Sequence, residues 1–168
     1  MNTNSNQKDS IQLTKNFTLS ELTRSSTADR LGLINTPDER AVANLRLSAR
    51  GLWQPARDIL GVPMQVSSGY RSQTLNRAIG GSPTSAHRYG LAIDFTAKAF
   101  GNTRKVARYL VAELKARGIK FDQLILEFPD SPNSWIHLGY KHPNGQQRGQ
   151  VLTAIKRGGR TVYVSGLR

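Results

Sequence analysis

The hydrophobic period of this chain changes along its length. Apolar residues recur at helical spacing through the first third and at a period of two through the last. A stretch written for one period cannot bury its apolar side in the other conformation, so helices dominate the first third of the chain and strands the last. In "NTPDERAVANLRLSARGLWQPARDIL", Val42, Leu45, Ala49, Leu52, Ala56 and Ile59 form one helical stripe. Thr36 is the expected N-cap, with Pro37 at the first helical position and Glu39 three residues on. Gly51 and Pro55 inside this helix predict a bend or break near Gln54. Toward the C-terminus "FDQLILEF", "SWIHLGY", "VLTAIK" and "TVYVSGL" read as strands, the last two joined through Gly158 and Gly159 in a tight hairpin. The expected fold class is α+β, with helices packed on one face of a mainly antiparallel sheet.

Shorter signals fill the middle. "NFTLSEL" is a capping box, Thr18 with Glu21, with Phe17 and Leu22 placed to staple the start of a short helix. "VPMQVSSGY" predicts a strand, "SQTLNRAI" a short helix, "GGSPTS" a loop and "LAIDFTA" a strand with Asp94 facing away from the apolar side. A helix from about Asn102 to Arg117 stops at Gly118.

At 168 residues the chain is of single-domain size. The expected organisation is a flexible polar tail over 1–15, then one domain over 16–168, and the chain is expected to be monomeric. The opening residues lack the apolar core of a signal peptide, and no stretch approaches the ~18 apolar residues of a membrane span. The protein is therefore expected to be made in the cytoplasm. With no cysteine, disulfides, thiolate metal sites and a cysteine nucleophile are excluded, and His, Asp and Glu are left as the strong metal ligands. The 24 Lys and Arg against 11 Asp and Glu give a net charge of +13, which favours an anionic partner such as a cell-envelope surface. These basic residues are spread along the chain rather than clustered with aromatics, which argues against nucleic acid.

The chemistry-bearing residues sit in two stretches. "SAHRYGLAIDF" carries His87 and Asp94, and "SWIHLGY" carries His137 on the same strand face as Trp135. If "FDQLILEF" and "SWIHLGY" pair as a hairpin, Glu127 and His137 share one side of the sheet. Two imidazoles and a carboxylate are the donor set of a catalytic zinc site with an open fourth position. The residues alone leave open a capping aspartate and surface histidines instead.

Taken together, "SAHRYGLAID" (Ser85, His87, Gly90, Ala92, Asp94) and the "WIH" ending at His137 resemble the zinc D-Ala-D-Ala carboxypeptidase family, which includes phage endolysins and other peptidoglycan peptidases. The resemblance runs from "FTLSEL" through "SSGYRS" to "GQVLTA", and its detail is most like the phage-associated branch. It implies a hedgehog-like α+β fold and one Zn²⁺ per chain on His87, Asp94 and His137. It also implies hydrolysis of an amide bond in peptidoglycan peptide stems. Arg71 in "SGYRS" matches the family arginine that faces the substrate carbonyl or carboxylate, although a surface salt bridge is the plainer role for an arginine. Ser85 and Trp135 are the expected substrate contacts.

One position departs from the pattern. Many members carry a carboxylate three residues before the last histidine, where this chain has Ser134. Glu127 is the expected general base, with Asp130 as the other candidate. His142 in "YKHPNG" reads as an exposed turn histidine rather than a ligand. The expected activity is that of an endolysin-like L-Ala-D-Glu or D-amino-acid endopeptidase, released from the host cytoplasm to act on the wall. The alternatives are a D-Ala-D-Ala carboxypeptidase and, favoured by Ser134, a non-catalytic cell-wall or virion binding module.

Overall fold

Three capping side chains set the helical N-terminal part. A computed structural model describes residues 11–168. Thr18 caps α1 (Leu19–Thr23) by accepting from the Glu21 N–H at 3.2 Å, while the buried Phe17 and Leu22 close the staple. Ser25 caps α2 (Ser26–Leu31), and Asp38, rather than the expected Thr36, caps α3 (Glu39–Ser48) by accepting from the Ala41 N–H at 2.7 Å. A carboxylate is at least as good a cap as a hydroxyl, so the helix starts two residues later than its Pro37 suggested. The long helix continues through a π-helical turn (Ala49–Trp53) into α4 (Gln54–Leu60). The expected irregularity is thus present, one turn ahead of Pro55, which sits in the first turn of α4. Trp53, in the π turn, is fully buried and donates its indole N–H to the Leu138 carbonyl at 3.2 Å, tying this helix to the sheet.

The sheet comprises β1 (Gln65–Ser68), β2 (Ala92–Thr96), β3 (Gln123–Glu127), β4 (Trp135–Gly139), β5 (Gln150–Arg157) and β6 (Arg160–Ser165), in the order β1-β2-β4-β3-β5-β6. Every neighbouring pair is antiparallel except β3 and β5. The fold is α+β with a mixed, mainly antiparallel sheet, as the change of period implied. Gly158 and Gly159, both at positive φ, turn β5 into β6.

Alternation then sorts the side chains. Ile93, Phe95, Leu124, Leu126, Ile136 and Leu138 are buried on one face beneath α3, α4 and α6 (Thr103–Ala116), together with Leu45, Leu52, Val106, Leu110 and Leu114. The opposite face receives Asp94, His137, Ile125 and Glu127, and α5 (Gln73–Ala78) and a 3₁₀ turn (Ala86–Tyr89) flank it. Residues 1–10 of the expected tail lie outside the described residues. Of the rest, Leu13 is buried in the core and Gln12 bridges to Thr18. No helix among the described residues is long and apolar enough to cross a membrane.

Candidate metal centre

Register brings the two sequence stretches together. Asp94 on β2 pairs directly with His137 on β4, and His137 in turn pairs with Ile125 on β3. His87 arrives from the 3₁₀ turn, which Gly90 ends at φ 71°. A Cβ at Gly90 would stand 2.7 Å from the Ala41 carbonyl oxygen, so the turn lies against α3 in a way only glycine permits. Gly90→Ala is expected to cost about 2–4 kcal/mol from the left-handed backbone and the clash together. Denaturant unfolding of the two proteins measures it.

His87 Nε2, Asp94 Oδ1 and His137 Nδ1 form a small triangle, with separations of 3.1 Å (His87 to Asp94), 3.2 Å (His87 to His137) and 3.0 Å (His137 to Asp94). The proton inventory of this triangle is informative. His87 Nδ1 lies 2.7 Å from the Gly69 carbonyl oxygen, which can only accept, so Nδ1 carries the proton and a neutral ring turns its bare Nε2 lone pair to the triangle. Burial lowers the His87 pKa and favours that neutral ring, against the opposing pull of Asp94. Burial alone would raise the Asp94 carboxyl, but the His137 ring hydrogen-bonded to it at 3.0 Å holds it well below the ordinary carboxylate range. Two acceptors therefore face each other at 3.1 Å with a third nitrogen beside them, an arrangement that a cation relieves. Ligand atoms about 2.0 Å from a tetrahedral metal stand roughly 3.3 Å apart, and the triangle fits that spacing. His87, Asp94 and His137 can hold one metal ion among them.

Neighbouring segments brace the triangle. A bulge in β1 sets Ser68 opposite Asp94. Arg71 donates from Nη2 to Asp94 Oδ2 at 2.7 Å and from Nε to Ser68 Oγ at 2.9 Å, so its first role is to orient the aspartate from behind while it lines the cleft. A Cβ at Gly69 would meet the Leu22 carbonyl oxygen at 2.2 Å, so close packing against α1 fixes the carbonyl that holds His87.

The triangle opens into a cleft of about 750 Å³. Ser85 and Trp135, the expected substrate contacts, both line it, as does Glu127, which is only 7% exposed. The hairpin pairing on which Glu127 depended is present, with Glu127 opposite Trp135. Burial pushes the Glu127 carboxyl up to about 7; His137 and Arg71 pull against this, and Asp94 adds to it. Asp130 is placed elsewhere: its side chain is 88% exposed and paired with Arg104 at 2.7 Å. Ser134 is occupied structurally, donating to the Glu127 carbonyl at 2.8 Å with Thr103 Oγ1 at 2.6 Å. His142 lies in a turn as expected, its Nδ1 accepting from the Asn144 N–H, but it is half-buried at the cleft edge rather than exposed.

Phe128, Tyr163, Lys156 and Arg148 are among the cleft residues that local sequence signals do not mark. The strand period places Phe128 inward, yet at φ 49° its backbone leaves the strand and the ring turns into the cleft, 5.4 Å from Trp135. Tyr163 shares a cross-strand row with Glu127, separated from it only by the small Ala154. Lys156 lies beyond, and Arg148 closes the other end in a two-point pair with Asp122 at 2.7 Å. The hairpin signal at Gly158–Gly159 located β5 and β6, but nothing local says that this hairpin walls the cleft.

Among known proteins, the family model described as Peptidase M15 matches residues 15–138. That span covers every member of the triangle, Arg71 and Glu127. A search of curated proteins finds no match.

Proposed function

Because the chain belongs to the Peptidase M15 family, we propose that it is a zinc-dependent endopeptidase of peptidoglycan peptide stems or cross-links, endolysin-like in its action on the cell wall. The observation that carries this reading is the triangle of His87 Nε2, Asp94 Oδ1 and His137 Nδ1, three potential ligand atoms within 3.2 Å of one another beside a second buried carboxylate, Glu127. His87, Asp94 and His137 would hold the zinc, which would supply a Lewis acid and a water acidified to a pKa of about 7.

The chain's own groups supply the rest. Glu127 accepts the proton of the attacking water and returns it to the leaving amine, one group serving as base and then as acid. Arg71 keeps Asp94 oriented and adds positive charge where the carbonyl oxygen becomes negative. Trp135 and Phe128 wall the cleft and thin the water around the reacting bond. Glu127 provides the carboxylate that Ser134 cannot, which favours a peptidase over a binding module. The cleft continues past Glu127 to Lys156 and Tyr163, leaving room for chain beyond the scissile bond and so favouring an endopeptidase over a carboxypeptidase. The +13 charge supports attraction to the anionic envelope.

Purified peptidoglycan incubated with zinc-loaded protein is expected to release fragments with one new amine and one new carboxyl at a single stem position, identified by mass spectrometry. Chelated protein should release none, and zinc should restore release. Sedimentation with sacculi but no fragment in any condition refutes the peptidase and leaves a binder.

A further inference from the structure

The cleft's charges are unevenly spent. Arg71 is bound to Asp94 and Arg148 to Asp122, so each of these cations already has its carboxylate. Lys156 also lines the cleft, and among the described residues it has no carboxylate partner. Its ammonium donates to Thr161 Oγ1 at 2.9 Å and stands 5.3 Å from the centre of the Phe128 ring.

Phe128 is the only non-glycine described residue with a positive φ, a conformation that costs energy unless its surroundings impose it. What that turn achieves is to take the ring off the buried face and set it in the cleft against Trp135, beneath the lysine. The strained residue thus builds a platform for a cation whose charge no described carboxylate answers.

We propose that Lys156, positioned by Phe128 and Thr161, is a specificity-determining residue that binds a free carboxylate of the substrate peptide, away from the scissile bond; the inference rests on the peptidase reading above. Register gives the separation. Lys156 lies four residues along β5 from Leu152, which shares the cross-strand row of His137 and Ile125, and two strands across from β4. At ~3.4 Å per residue and ~4.8 Å per strand, and allowing for the lysine's length, roughly 10–14 Å remain, which is three to four residues of extended peptide. The recognised group is a carboxylate borne by a side chain or branch of a stem peptide several residues from the bond cut. A carboxamide at the same place would offer the ammonium no charge.

The test uses two peptidoglycan stem peptides that differ only in whether their carboxyls are free or amidated. Calorimetric binding to the zinc-free protein is measured alongside cleavage by the zinc-loaded protein. The free-carboxylate peptide is expected to bind about fivefold more tightly and to show a KM lower by a similar factor at equal kcat. In Lys156→Met this preference should fall to near unity, whereas Lys115→Met on α6, which removes the same charge far from the cleft, should retain it. Equal binding of the two peptides by the unmodified protein, no binding of either, or a preference that survives Lys156→Met overturns the proposal. Preferential binding that depends on Lys156 but without cleavage supports the anchor and refutes the peptidase, so the two claims fail separately.

Discussion

Glu127→Gln is expected to leave one zinc per chain bound and to lower kcat about a thousandfold, within the range attributed to a positioned general base. Glutamine keeps the shape of the side chain and its place opposite Trp135 on β3, but it cannot take a proton from water. Metal analysis and steady-state kinetics on the same preparation separate the two effects, and loss of zinc together with turnover would show Glu127 to be a ligand instead. The pH profile gives a second readout. A base acts ionised, so kcat/KM falls as pH falls through its pKa. Burial pushes the metal-free carboxyl up to about 7, and a divalent cation nearby draws it back down. The acid limb of the zinc-loaded enzyme is therefore expected between the ordinary glutamate value and about 7, and Glu127→Gln should lose it.

His137→Ala is expected to abolish zinc binding and activity together. Removing one corner of the triangle leaves His87 Nε2 and Asp94 Oδ1 as two donors for an ion that needs at least three from the protein. Stability reports the same event without any substrate. A ligand present at a hundredfold excess over its dissociation constant stabilises the folded state by about 2.7 kcal/mol, so zinc should raise the unfolding midpoint of the unmodified protein and leave that of His137→Ala unmoved. Elemental analysis and thermal unfolding with and without zinc check both halves. Stoichiometric zinc retained by His137→Ala would mean that the ion binds elsewhere and that the triangle is only a hydrogen-bonded cluster.

Much of the fold was legible because its signals are local. The Thr18–Glu21 box, the helix ending at Gly118 and the Gly158–Gly159 hairpin each depend on a few neighbouring residues, and each is where the sequence places it. α3 starts two residues beyond the Thr36 cap because Thr36 and Asp38 are both competent caps, and the choice between them depends on how the helix packs. Glu127 could be assigned to the face of His137 because alternation along β3 and β4 carries over to a paired strand, provided that the register holds.

Periodicity thus pointed, from the chain alone, to an α+β fold, and side-chain chemistry to His87, Asp94 and His137 as candidate ligands, which the family resemblance joined into one site. Only the tertiary structure decided that His87 and His137, fifty positions apart, come within 3.2 Å of each other, because β2–β4 pairing sets His137 beside Asp94 while the 3₁₀ turn and the Gly69 carbonyl hold His87 against both. It likewise decided that Arg71 grips Asp94, that Asp130 faces solvent, and that Phe128 turns against its strand period to support Lys156. The physical reason is one of range: side-chain period and capping are set within a few residues, whereas strand order, register and a strained backbone torsion are set by the packing of the whole domain.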